Sequence, residues 1–240
     1  MRMFRERGDG SLTLYCFSPL ATLITFLIEL SFSVYTVIRY RTSRFGGLSA
    51  LTLLCLAFFQ VAEYELCGGA RPIGWIQIAF LSITMLPPLG IHLASLATKK
   101  SFWVPVGYAA AAVFEAMIIL APSLFLGAHC TGRFVIFDAA DLFEYAYGVY
   151  YLGFIVVGVA LLVRDYWQKQ RNGEVVKWLL AAYASFIVPT AFVYAFFERS
   201  RAGFSSIMCG FAIIFAFILV LKILPHYAKI GDGPTAVHRK

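Results

Sequence analysis

The 240 residues are 60% hydrophobic and only 14% charged, a balance that excludes an ordinary soluble domain and marks an integral membrane protein. The formal net charge is +7, but the basic residues sit beside apolar stretches. Membrane orientation accounts for them there, and no nucleic-acid partner is expected.

A bilayer-spanning helix needs roughly 20 apolar residues. That rule predicts seven spans: 17–40, 48–66, 73–97, 102–126, 142–163, 176–197 and 204–224. The expected fold class is all-α, a seven-transmembrane helix bundle over residues 17–225. An external leader, 1–16, precedes it and a cytoplasmic tail, 226–240, follows. Residues 1–14 lack the apolar core of a cleavable signal. Lysine and arginine gather after spans 1, 3 and 5, including Arg39, Arg44, Lys99, Lys100 and Arg164. By the positive-inside rule the N-terminus is then outside and the C-terminus cytoplasmic, in an inner (plasma) membrane. Trp75, Trp103, Trp167 and Trp178 fall at or near span ends, as interfacial anchors do.

The third span holds Pro87-Pro88 near its middle and His92 one turn later. Proline removes a helical hydrogen bond and crowds the carbonyl four residues earlier, here those of Ile83 and Thr84. In hydrocarbon such carbonyls need other partners, so the joint should face protein or trapped water. Glu29, Glu115 and His92 are the polar groups expected to serve. Glu29 in span 1 and Glu115 in span 4 lie near mid-bilayer, where a charge costs roughly 2.5 kcal/mol or more. Each is read either as part of a polar switch or as a structural hydrogen bonder. His92 is read as an interhelical hydrogen bonder, because the four histidines show no metal-site spacing.

On the outer side Glu63, Asp138, Asp141 and Glu144 collect with tyrosines that include Tyr147 and Tyr150. An aromatic belt explains the tyrosines. The denser run through Asp141, Glu144 and Tyr147 is a candidate mouth for a small polar or cationic ligand. Cys55 and Cys209 lie inside spans, whereas Cys16, Cys67 and Cys130 fall outside, where disulfides persist. Three outer thiols permit three pairings. Cys67–Cys130 is the expected one, tying the long fourth connector over the bundle, and a pairing with Cys16 stays open. No metalloprotease, nucleophile-elbow, phosphate-loop, dinucleotide or CxxC motif is present, so no catalytic residue, cofactor or metal is assigned.

The stretch AFFQVAEYELCGGARPIGWIQIAFLSITMLPPLGIHLASLAT, with FIVPTAFVY and CGFAIIFAFILVLKILPHYAK further on, resembles the seven-transmembrane N-terminal sensor region of bacterial histidine kinases and diguanylate cyclases. The resemblance implies a bundle that senses a ligand from outside and transmits through its last helix. The chain departs from that family in its output: 15 residues follow Pro225, too few for a catalytic domain. The expected function is a stand-alone receptor or sensor module, not an enzyme, signalling through a separate protein. The alternative is an accessory subunit of a larger membrane complex; a membrane enzyme or transporter ranks below both.

Overall fold

The computed structural model describes residues 4–6, 12–14, 19–69, 73–131, 135–168, 173–197 and 203–231. Among them, seven helical segments are long and apolar enough to cross a membrane, which marks a multi-pass membrane protein. In chain order these are α1 (Pro19–Tyr40), α2 (Arg44–Cys67), a span divided into α3 (Ile73–Thr84) and α4 (Leu86–Thr98), α5 (Trp103–Leu120), α6 (Asp141–Trp167) and α7 (Gly173–Phe196). The last span is α8 (Phe204–Ile218), running through a π-helical turn (Leu219–Ile223) into α9 (Leu224–Gly231). Cys16 and Glu198 lie outside the described residues.

The fold is not purely helical. Residues 4–6 and 12–14 pair as a short antiparallel hairpin, β1 (Phe4–Glu6) and β2 (Leu12–Leu14). The fourth span was expected to reach residue 126, but α5 ends at Leu120. A 3-10 turn (Pro122–Leu124) follows, then a second antiparallel hairpin, β3 (Phe125–Cys130) and β4 (Val135–Ala139). Pro122 cannot continue a helical ladder, and Phe125 at the start of β3 and Val135 at the start of β4 are buried. Register shifts between Phe125 and Gly127, so that Leu126 bulges outward, 74% exposed.

Connections are tight where the sequence permits. Ser43 caps α2 by accepting from the Gly46 amide at 3.4 Å. A Cβ on Gly46 would stand 2.5 Å from the Tyr40 carbonyl oxygen, so only glycine allows α1 and α2 to close so sharply. Lys99 ends α4 in the left-handed region, φ 57°, the usual way to terminate a helix.

Two apolar clusters fill the bundle. One, around Leu53, Leu93, Leu179 and Leu219, occupies the half near the basic connectors. The other, around Phe59, Phe80, Phe143 and Tyr147, lies under the β3–β4 hairpin. Leu86, Ile155 and Phe186 touch both. The third span is therefore divided where the two cores meet.

Candidate functional site at the proline joint

The division at Met85 follows directly from Pro87 and Pro88, both buried. Their missing amides leave Ile83 and Thr84 without helical donors, and the Leu89 amide restores the ladder by donating to Met85 at 3.2 Å. The Thr84 carbonyl finds its partner on another helix: the Tyr150 hydroxyl of α6 donates to it at 2.6 Å. The Thr84 hydroxyl donates to the Phe80 carbonyl at 2.6 Å. Its single proton being used, the Tyr147 hydroxyl, 3.0 Å away, must donate to Thr84 Oγ1. Two tyrosines one turn apart on α6 thus hold the broken turn of the third span.

This corrects the expected partners. Glu29, Glu115 and His92 make no hydrogen bond to the joint among the described residues. His92 Nδ1 instead pairs with the Tyr108 hydroxyl of α5 at 3.2 Å, the interhelical role expected of it. Glu115 is half-buried on α5 and lies within electrostatic reach of Tyr147, Tyr150 and Cys55. Glu29 is wholly buried between α1 and its neighbours, and neither carboxyl oxygen has a hydrogen-bond partner among the described residues. A second buried carboxyl, Glu63 of α2, lies within its electrostatic reach and adjoins Ser206 and Val135. Cys209 of α8 is within electrostatic reach of both, and its carbonyl accepts from Gln60 Nε2 at 3.4 Å.

The structure separates the outer cluster. Asp141 and Glu144 are exposed in the first turn of α6, where carboxylates complement the helix dipole. Tyr147 turns inward, 8% exposed. Above it Phe80 packs against Phe125, Phe137, Phe143 and Tyr147, with ring centroids 4.8–6.0 Å apart. Tyr147 thus belongs to an aromatic plug roofed by the hairpin, apart from the exposed Asp141 and Glu144. The Cys67 and Cys130 sulfurs are within bonding distance, 1.96 Å, fastening the hairpin to the end of α2. The exposed pair of His129 with Asp138, at 3.1 Å, adds little at such exposure.

Beneath the plug, beside Pro87, lies a cavity of about 50 Å³. Its walls come from five spans, through Thr52, Pro87, Tyr151, Tyr183 and Cys209 among others. The Tyr183 hydroxyl fits a notch between two glycines: a Cβ on Gly90 would stand 2.4 Å from it, and one on Gly158 3.1 Å. The sequence reading missed Tyr183 and the inward role of Glu63. The only signal for the notch was a glycine on each of two spans, uninformative without their register.

A scan against family models finds no match for the chain, and no curated protein matches it.

Proposed function

We propose that the chain is a seven-helix membrane receptor or sensor module that passes a change at its third span to a cytoplasmic partner. It lies in an inner (plasma) membrane with the β3–β4 hairpin outside and α9 in the cytoplasm. The observation that carries the reading is the Tyr150–Thr84 hydrogen bond beside the cavity. A helix joint held by a side chain from another span, beside a cavity lined by five spans, has a partner to exchange. The charge distribution supports the orientation, and so does a disulfide on the face opposite the basic connectors.

The route inward is physical. Cys209, Ala212 and Phe215 of α8 line the cavity, and α8 continues through the π turn into α9. There Tyr227 stacks on Phe45, at the start of α2, with centroids 4.2 Å apart. Lys222 lies over the Trp178 ring at 5.5 Å. Displacement at the joint thus reaches the inner ends of α2, α7 and α9. A ligand shifts such an equilibrium only by its differential affinity for the two arrangements.

Spin labels at Ile73→Cys and Lys99→Cys, both exposed ends of the third span, test the joint in lipid nanodiscs. The expected result is two distances whose ratio changes with Tyr150→Phe. A single narrow distance, unchanged by that substitution, overturns the reading. If the same protein also leaves its native membrane in a fixed-ratio complex, it is an accessory subunit.

A further inference from the structure

We infer that the cavity at the joint is a binding site for a small neutral molecule, apolar apart from one oxygen that accepts hydrogen bonds from the Tyr151 and Tyr183 hydroxyls. The inference names the ligand class of the receptor reading above and rests on it for its signalling meaning, but the site stands on its own observations.

Tyr151 of α6 and Tyr183 of α7 both line the cavity and are 8% and 6% exposed. Buried phenols ordinarily have a hydrogen-bond partner. The nearby Tyr147, Tyr150 and Tyr108 each have one. Among the described residues the Tyr151 and Tyr183 hydroxyls have none. Two donors, one from α6 and one from α7, are therefore available among the residues that line the cavity. Thr52 has already given its proton to the Leu48 carbonyl at 2.9 Å, so its oxygen can only accept.

Size and lining narrow the class. One water needs roughly 10–15 Å³ on this measure and two to four polar partners. The cavity holds about 50 Å³, several times that, yet its walls offer partners for a single oxygen. The remainder is apolar, with Leu56, Ile155, Phe186 and Phe215 facing inward. Among the described residues no charged side chain lines it, which disfavours an ion. A ketone, ether or alcohol of a few heavy atoms, entering through the bilayer, meets every condition.

Acetone labelled with carbon-13 at its carbonyl is the probe, titrated into the full chain in nanodiscs and read by the carbonyl resonance. Saturable binding with a shifted resonance is expected for the wild type. Tyr151→Phe or Tyr183→Phe should weaken it about fivefold each, as loss of one hydrogen bond of about 1 kcal/mol implies. The double variant should abolish the shift while still taking up xenon, showing that the cavity persists. Acetone binding unaffected by the double variant overturns the inference, and so does water alone occupying the site with no saturable acetone binding. Binding that leaves the Ile73–Lys99 distances unchanged upholds the site and removes only its signalling role. Two distances without acetone binding overturn the site and leave the sensor reading in place.

Discussion

The Tyr150 hydroxyl donates a 2.6 Å hydrogen bond to the backbone carbonyl of Thr84, which two prolines have stripped of its helical donor. Both residues are buried, so no water replaces the bond if it is lost. Tyr150→Phe should therefore destabilise by about 1–3 kcal/mol, the penalty for a buried acceptor left unsatisfied. Tyr147→Phe should cost less, because Thr84 Oγ1 still has its bond to Phe80. Thermal unfolding of the two purified variants ranks them, and the reverse order would contradict the assignment of donors.

The disulfide predicts a second measurement. Cys67 and Cys130 close a loop of 63 residues, for which chain entropy gives up to about 4 kcal/mol. Reduction, or Cys67→Ser with Cys130→Ser, should lower the unfolding temperature and release the hairpin from the aromatic plug. Intact protein isolated without reductant should show neither thiol free to alkylation. Free thiols at both positions would remove the tether.

Orientation is checked by single cysteines on opposite faces. Leu126 and Trp167 are 74% and 79% exposed, at the hairpin bulge and the last residue of α6. A membrane-impermeant maleimide applied to intact cells should label Leu126→Cys and spare Trp167→Cys. The opposite pattern inverts the protein and moves the hairpin to the cytoplasm.

Glu29 offers a test of frustration. Both its oxygens are buried without a partner among the described residues, and the carboxyl of Glu63 lies within electrostatic reach. Replacing an unpartnered polar group by an apolar one of similar volume is neutral or favourable. Glu29→Met should raise the unfolding temperature, by roughly 2–4 °C for each kcal/mol in a chain of this length. A fall instead would mean that Glu29 is held by something bound beside it.

The seven spans were legible because hydrocarbon demands about 20 apolar residues in a row, a signal that needs no tertiary information. The proline joint was legible for a similar reason, since a missing amide is a property of the residue itself. The hairpin was not: VIFDA reads as a strand only once the helix before it is known to stop at Leu120. The partners at the joint were missed because tyrosine at a membrane boundary has a bland explanation. Which tyrosines turn inward depends on the rotation of α6, and α6 has apolar residues on every side. The same ambiguity hid the cavity, since a void belongs to the space between helices and to no residue in particular.

The joint itself yields the most discriminating experiment. In an unbroken helix the amide of residue 88 would donate to the Thr84 carbonyl; Pro88 removes that donor, and Tyr150 supplies another. Pro88→Ala restores an amide at that position, so the two donors then compete for one acceptor. If Tyr150 serves to satisfy that carbonyl, Tyr150→Phe should cost about 1–3 kcal/mol in the natural chain and much less in the Pro88→Ala background. The double-mutant cycle should therefore show a coupling of at least about 1 kcal/mol, as expected for groups sharing a partner. Thermal unfolding of the four proteins measures it directly. Packing predicts the opposite pattern: Pro88 also lies against Gly107, whose added Cβ would stand 3.3 Å from the proline ring. A purely steric role would make the two losses add, and an additive cycle would reduce the Tyr150–Thr84 bond to an incidental contact.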